Sequence, residues 1–540
     1  MAIALSDLDE VRRLGLFLEQ RQCTFRSDGV ASAPMDADCE SAEHRNHPQC
    51  LHRADLNALV YRDALAVFER AERSAEQAEQ RTLYERSAAL LIDAVGRNPG
   101  DPQAPLALEQ AAIALERTGR FESAGAVYRR IVEEVGPRQG EDAEEQGRLD
   151  AIVANAYFRL AYNENRFLEF DRALESYRAL ADAPRFASST DSRVQEKRRD
   201  ALVNAALILE RVQRYDEAIA YFRRVYDSVE DDEIRRNALY RIAEINERRG
   251  RTADASRSYR ELIDRYRRDP AAGDLVVQAY FRVSQMIARG SRAPREDRAY
   301  RDALADVLDA YRRSGQPAGS IAAEYAAQAR FALEDDIDAF ERWTVDVGRP
   351  TSVAQYGERL ARSIRDGSAW AQQLTRRYDP ILEYRRPTWT IAAYVRQGRV
   401  FEILANAVLN APFVLPQEIE RQLRGLDAAS REEVRLGVED QVRQMLDDQA
   451  RPLECVAIGR YALAVRAAVA GSLDDELTRF AVDRLQTYGE ERITRCIEQV
   501  RASDNSMQPY QPGEFARAAR GRHPELEAVH EPPPLLEASP

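Results

Sequence analysis

Four stretches of the chain share one spacing of small and aromatic residues, and this repeat limits the fold more than any other feature. The clearest copy is residues 108–134, LEQAAIALERTGRFESAGAVYRRIVEE. Leu108, Ala112 and Leu115 recur at helical spacing, Gly119 follows, and a second run with helical spacing comes after it. The pattern predicts two amphipathic helices joined by a short turn, in which glycine adopts the left-handed conformation.

The same pattern begins again at Tyr157, Leu202 and Leu239. The small residue in the middle of the second helix, which lets neighbouring helices approach closely, is Ala124, Ala173, Ala218 or Ala255. These alanines are 49, 45 and 37 residues apart, so the segments between copies differ in length. The repeat predicts an all-α superhelix of stacked helical hairpins, followed by a helical C-terminal extension and a disordered tail.

We divide the chain into four predicted regions by pattern and composition. They are an N-terminal helix with a Cys/His-containing loop (1–54), the helical repeats (55–348, with the best copies in 104–270), the helical extension (349–501) and a disordered tail (502–540). The tail is assigned from its content of proline, glutamate and small residues, which cannot bury enough apolar surface to fold.

The charge and hydropathy of the chain exclude two classes of partner. The formal net charge is -13, so the surface as a whole repels nucleic acids and anionic membranes. The longest uncharged run, residues 403–417, is too short to cross a bilayer and contains two prolines. The N-terminus also lacks the basic and apolar regions of a signal peptide. This indicates either a cytosolic protein or one whose translated precursor begins earlier.

On its four hairpin copies, the chain resembles tetratricopeptide repeat (TPR) proteins. Two later stretches, AAEYAAQARFALEDDIDAFERW and PTWTIAAYVRQGRVFEILANAVLNAPFVLP, resemble more narrowly TPR proteins in the cell envelope of gliding Gram-negative bacteria. This resemblance implies a non-catalytic scaffold, without a cofactor, that binds proteins or peptide segments in a periplasmic, cell-envelope or motility-type assembly. A cytosolic TPR adaptor or regulatory module is the alternative.

The resemblance places the first helix of each hairpin on the concave face that accepts a partner. By register, the candidate partner-binding residues are Tyr157, Arg159, Tyr162, Asn204, Tyr240 and Arg241. Tyrosine and arginine are favoured at binding hot spots, although tyrosine at such positions also packs between repeats. Replacing Arg159, Asn204 and Arg241 together is predicted to weaken partner capture without loss of the fold. These three are too scattered to form the carboxylate clamp of chaperone-tail receptors.

We find no Gly-rich phosphate loop, no GxSxG and no HExxH, and we therefore predict no enzymatic activity. One segment, CESAEHRNHPQCLH, is open to three interpretations: a disulfide clip, a metal site or free thiols in a polar loop. The disulfide candidates are Cys23, Cys39 and Cys50, and the weaker metal alternative uses Cys39, His44, His47 and Cys50. A metal-dependent enzyme using this loop is the remaining alternative from another functional class.

The last two cysteines, Cys455 and Cys496, flank a predicted turn. On one straight hairpin they would be offset by about 12 Å at the helical rise of about 1.5 Å per residue, whereas a disulfide requires Cα atoms within about 7 Å. A bridge therefore requires Gly489 to break the second helix and fold Cys496 back. Two buried free cysteines are the alternative.

Overall fold

The computed structural model of the protein describes residues 24–25, 31–32, 48–97, 99–503, 507–511 and 513–514. These residues are almost entirely α-helical, which confirms the predicted all-α helical-repeat fold. The exception is a pair of two-residue strands, β1 (Thr24–Phe25) and β2 (Ala31–Ser32), which pair antiparallel. Most of the predicted N-terminal region and disordered tail lies outside the described residues.

The chain forms two compact units that divide between Ala238 and Leu239, inside the predicted repeat block. The predicted region boundaries near residues 54, 348 and 501 remain predictions. The helices of the first unit are α1 (Pro48–Arg73), α2 (Gln77–Arg97), α3 (Ala104–Arg117), α4 (Phe121–Arg130, continued by a π-helical turn over Ile131–Val135), α5 (Ala143–Arg166), α6 (Phe170–Asp182), α7 (Pro184–Ala187), α8 (Ser192–Arg211) and α9 (Tyr215–Ser228).

The chain passes from the first unit to the second within helix α10 (Asp232–Arg248). The helices that follow it are α11 (Thr252–Tyr266), α12 (Gly273–Gly290), α13 (Arg298–Ser314), α14 (Ile321–Glu334), α15 (Ile337–Phe340), α16 (Val353–Leu382), α17 (Pro387–Leu409), α18 (Gln417–Leu423), α19 (Ala428–Gly471), α20 (Glu476–Tyr488) and α21 (Glu490–Ser503). Short 3-10 turns at Pro270–Ala272 and Pro294–Glu296 precede α12 and α13.

The buried positions of the repeat are the ones that the sequence pattern predicts. The four second-helix alanines are all fully buried. So are the aromatic side chains of Tyr128, Tyr177 and Tyr259, one helical turn further along their helices. Arginines at the ends of first helices cover aromatic residues at the starts of preceding second helices: Arg166 lies 4.2 Å above the ring of Phe121. The small residue therefore sets how closely helices approach, and the aromatic residue fills the space between hairpins.

The four turns between the repeat helices have one backbone geometry. Gly119, Leu168, Gln213 and Gly250 have φ angles of 76°, 61°, 61° and 71°. In each turn, the N–H of this residue donates to the carbonyl three residues earlier, and the next N–H donates to the carbonyl five residues earlier. These bonds satisfy the carbonyls at the end of the first helix, as in a Schellman motif. The turn thus keeps its geometry even where a larger residue replaces glycine.

This geometry predicts different effects for two substitutions in equivalent turns. Gly119→Ala should lower the free energy of unfolding by about 1 kcal/mol, because an L-residue is disfavoured at positive φ. No atom lies within 4 Å of a Cβ added at Gly119, so the cost comes from the backbone alone. Gln213→Gly should be neutral or raise stability by up to about 1 kcal/mol, since it relieves the same strain. Urea unfolding of both variants checks this, and equal destabilisation by the two would contradict a shared left-handed turn.

The C-terminal part of the second unit is built around the long helix α19, which packs along α17 and against α20 and α21. Gly489, with φ of 79°, separates α20 from α21, which is the helix break that a bridge required. Cys455 and Cys496 form a disulfide with a Cα–Cα distance of 4.6 Å, and both are buried in the core of this unit. Of the two alternatives for this pair, the structure therefore selects the bridge.

A buried carboxylate joins three of these helices. Glu402 on α17 has a side chain that is 1 % exposed, and it accepts hydrogen bonds from Arg484 and from the hydroxyls of Tyr461 at 2.9 Å and Tyr488 at 3.2 Å. Arg399 donates a further bond at 3.1 Å. Tyr461 can approach this closely because it packs on Gly398, where an added Cβ would lie 2.8 Å from the ring. The network ties α17 to α19 and α20.

Candidate functional site

The first helices α3, α5 and α8 of the first unit lie beside one another, and we group a strip of their side chains that are at least partly exposed. We call this strip the first-helix face and define it by Glu109, Asn155, Tyr162, Arg193 and Lys197. Asn155 and Tyr162 are two helical turns apart, and Arg193 and Lys197 are one turn apart, so each pair lies on one side of its helix. All but the exposed Arg193 are partly buried. The first-helix face therefore combines side chains that are partly buried between helices with side chains that a partner can reach.

Glu109 is the centre of the first-helix face. Its Oε1 accepts a hydrogen bond of 2.7 Å from Nδ2 of Asn155, which links α3 to α5. Burial raises the pKa of Glu109, and this effect outweighs the opposing hydrogen bond from Asn155 and the charges of Arg159, Arg193 and Lys197. A carboxyl with a shifted pKa among convergent polar groups is typical of binding sites, although structural networks show the same feature.

Lys197 is the only lysine in the chain. Its Nζ lies 5.1 Å from the centre of the Phe158 ring, in a cation–π arrangement, and Phe158 itself is fully buried. Two helices therefore hold the ammonium group at the first-helix face. The repeat register did not predict Lys197, Glu109 or Arg193 as site residues. The sequence could have pointed to Lys197, because it is the single lysine of the chain and lies in a first helix.

Arg159, one of the predicted partner-binding residues, is buried between first helices. Its Nη1 lies 2.6 Å from Oε2 of Glu116, and Nδ2 of Asn163 donates to the other oxygen of the same carboxylate at 3.0 Å. The side chains of Arg159 and Glu116 are 9 % and 11 % exposed. This pair joins α5 to α3 and contributes to packing between hairpins, so Arg159 is not presented to solvent as a contact residue.

Asn204 and Arg241 occupy the same register position as Arg159, nine residues before the left-handed turn residue of their hairpins. Asn204 is fully buried and donates to the hydroxyl of Tyr177 at 3.1 Å. Arg241 pairs with Glu244 at 3.3 Å, and both of these side chains are largely buried. The expectation that all three can be replaced without affecting the fold therefore conflicts with their positions.

Of the three predicted tyrosines, two pack against other aromatic side chains and one lies on the first-helix face. Tyr157 packs edge-to-face on Phe186, with ring centres 6.1 Å apart. Tyr240 is buried and packs in the same manner on Tyr259 at 5.7 Å. Only Tyr162 belongs to the first-helix face. Tyr240 and Arg241 lie in the second unit, whereas the other four predicted residues lie in the first.

The opening Cys/His segment stays a prediction in all three of its interpretations. Cys23, Cys39, His44 and His47 lie outside the described residues, and Cys50 falls in the first turn of α1. Within the described ranges, no group of three or more His, Cys, Asp or Glu side chains is arranged to hold a metal ion. None of the helices in the same ranges has the length and hydropathy needed to span a membrane.

Comparisons with known proteins agree with the repeat geometry. Residues 198–268, which cover most of α8 through α11, match the model of the tetratricopeptide repeat family. No curated protein matches the chain. Among solved structures, the chain is similar to the TPR domain of P58(IPK) at 13 % identity, over 82 % of this chain and 99 % of that chain. The TM-score of 0.19 is too low for this likeness to carry an argument. The hairpins and the family match together show an all-α helical-repeat fold that contains tetratricopeptide repeats over residues 198–268, and repeats of this kind mediate protein–protein interactions.

Proposed function

We propose that the first-helix face of the first unit is where this scaffold binds a segment of a partner protein. The observation that carries this proposal is the convergence of Glu109, Asn155 and Lys197 from three adjacent helices at a partly open surface. Such groups can pair with the polar groups of a bound segment, and the partly exposed Tyr162, two helical turns from Asn155 on α5, offers an aromatic contact. Tetratricopeptide repeats are generally non-catalytic, which is consistent with a binding role.

The cellular context is the second part of the proposal. We place the protein in an oxidising compartment, as expected for a periplasmic or cell-envelope scaffold, because disulfides persist there and are rare in the cytosol. The Cys455–Cys496 bridge supports this placement. Membership of a motility-type assembly is a narrower hypothesis, which rests on the resemblance of residues 322–343 and 387–416 to such proteins.

The single lysine allows a direct test of the binding surface. Reductive alkylation of the purified protein with an aldehyde-bearing photo-crosslinker modifies only Lys197 and the N-terminal amine, and it leaves the charge of Lys197 in place. After capture of a partner from the source cells, irradiation should join the partner to a peptide containing Lys197. The matched variant Lys197→Arg keeps the charge and should lose this cross-link while retaining the partner. Capture of a partner without any Lys197 cross-link would place binding elsewhere.

Two sets of substitutions should separate binding from folding. Tyr162→Ala with Lys197→Ala should weaken the captured partner's affinity about tenfold or more, since truncating a hot-spot residue costs about 2 kcal/mol or more. The melting temperature should change little, because both side chains are only partly buried. Asn204→Ala should instead lower the free energy of unfolding by about 1 to 3 kcal/mol, as it leaves the buried Tyr177 hydroxyl without its donor. Calorimetric titration and thermal unfolding measure the two effects, and a double variant with unchanged affinity would contradict the site.

A further inference from the structure

The chain returns to the surface of the second unit after α21. Residues 507–511 and 513–514 lie along the groove between α19 and α21, without forming a helix or strand. Met507 is 4 % exposed and belongs to the same core as the Cys455–Cys496 disulfide, whereas Gln508 and Pro509 are exposed. The segment is therefore attached to the core through Met507 and Tyr510, while the residues between them are exposed.

Arg466 on α19 uses its whole guanidinium to hold this segment. Its Nε and Nη2 bond both carboxylate oxygens of Glu514, at 2.6 and 3.2 Å. Its Nη1 donates to the carbonyl of Gln508 at 2.9 Å, and Nη2 also donates to the carbonyl of Pro509 at 3.0 Å. A bidentate arginine–carboxylate pair with bonds to two main-chain carbonyls recognises an extended chain that carries a carboxylate side chain.

The groove also contains a site for an apolar anchor. A Cβ built at Gly459 would lie 3.5 Å from Cε of Met507 and 3.4 Å from a methyl group of Val500. Any longer side chain at position 459 would therefore occupy the space of the methionine. Nε of Arg501 donates to the Met507 carbonyl at 3.1 Å, and Tyr510 packs on the edge of the same core. The groove thus has an apolar floor and a rim with two arginines.

We propose that this groove is a binding site for an extended segment of a partner protein that carries a carboxylate side chain, and that residues 507–511 and 513–514 occupy it as a latch. The contacts support this because proteins bind peptides that lack secondary structure in the same way. They bury an apolar side chain, hydrogen-bond the main-chain carbonyls and pair a charged side chain. A tethered segment acts at an effective concentration on the order of millimolar, so a partner competes only when the latch is released. The site lies in the second unit and is independent of the first-helix face.

The test uses the full chain and a fluorescent peptide with the latch sequence, MQPYQPGE. Glu514→Lys places a positive charge beside Arg466 and should release the latch, as should Met507→Asp, which puts a charge in the apolar floor. We expect fluorescence anisotropy to show at least tenfold tighter peptide binding to each released variant than to the wild-type chain. Adding Arg466→Gln to either variant should abolish that gain. A peptide with the same residues in scrambled order controls for nonspecific binding.

Equal peptide affinity of the wild-type chain and a folded released variant would overturn the proposal. Circular dichroism and melting curves establish whether each variant is folded. If Met507→Asp disrupts the core, Glu514→Lys alone decides the outcome, since Glu514 lies at the rim of the groove. Concentration-dependent dimers of the wild-type chain that Arg466→Gln prevents would identify a second copy as the occupant, and would also overturn the proposal.

Discussion

Replacing both Cys455 and Cys496 with alanine is expected to lower the free energy of unfolding of the second unit by about 4 kcal/mol. The bridge closes a loop with a sequence separation of 41 residues, and a loop of this length loses much of its conformational freedom in the unfolded chain when it is closed. Both cysteines are buried in one core, so the alanines also lose some packing. Denaturant unfolding of the oxidised wild-type protein and the double variant measures the difference.

Reduction of the wild-type protein provides the matched control for this prediction. After treatment with a thiol reductant under denaturing conditions and refolding, the wild-type chain should approach the stability of the double variant. Unchanged stability of the double variant relative to the oxidised wild type would contradict a stabilising bridge. Intact mass of the protein from its source cells tests the compartment: loss of two hydrogens at this pair supports the oxidising location, and two free thiols favour the cytosolic adaptor.

Glu402→Gln is expected to destabilise the second unit by about 3 kcal/mol, near the lower end of the cost of breaking a buried ion pair. The substitution keeps the size of the side chain but removes the charge that Arg484 and Arg399 neutralise. Both arginines are about one third exposed and can turn toward water, which limits the cost. The buried hydroxyl of Tyr461 cannot do so, and its bond to the network is weakened.

The same carboxylate predicts the acid sensitivity of this unit. Burial raises the pKa of Glu402, but hydrogen bonds from Arg484 and Tyr461 outweigh burial and hold the pKa below its ordinary value of 4.5. Because the unfolded state takes up the proton first, the stabilisation is fully present above about pH 4.5 and is lost as the pH falls through the folded-state pKa. The wild-type protein should therefore lose more stability than Glu402→Gln on acidification below that point.

Glu498→Gln is the matched control for Glu402→Gln. Glu498 is an exposed glutamate on α21, and its substitution should change the free energy of unfolding by no more than about 0.5 kcal/mol. Unfolding curves of both variants, recorded at intervals of about one pH unit from about pH 3 to about pH 7, give the size and the pH dependence of the effect. Equal behaviour of the two variants would show that the network does not stabilise the unit.

The hairpins could be predicted from the sequence because their determinants are local. Spacing of apolar residues sets which side of a helix is buried, and Ala124 and Tyr128 are buried for that reason. The turn geometry is also local, since Gly119 and Gly250 mark it directly. Leu168 and Gln213 adopt the same geometry without glycine, because the two helices on either side hold the turn closed.

The site could be predicted only in part, because register places a residue on a helix without showing what faces it. Arg159 and Asn204 were assigned correctly to first helices, yet the neighbouring Glu116 and Tyr177 draw both side chains into packing between helices. Glu109 had no distinguishing pattern among the many acidic residues of the chain, and Lys197 was distinguished only as the single lysine. Their role depends on helices that are far apart in sequence and adjacent in the fold.

By itself, the sequence determined the helix–turn–helix repeat and its all-α character, since both follow from periodicity within about 30 residues. The spacing of Cys455 and Cys496 also showed that a disulfide between them requires a helix break at Gly489. Only the tertiary structure decided that the bridge forms, that Glu402 joins three helices and that Arg466 binds Gln508, Pro509 and Glu514. Each of these depends on contacts between segments that are brought together by packing, and no local pattern encodes which distant partner a polar side chain will meet.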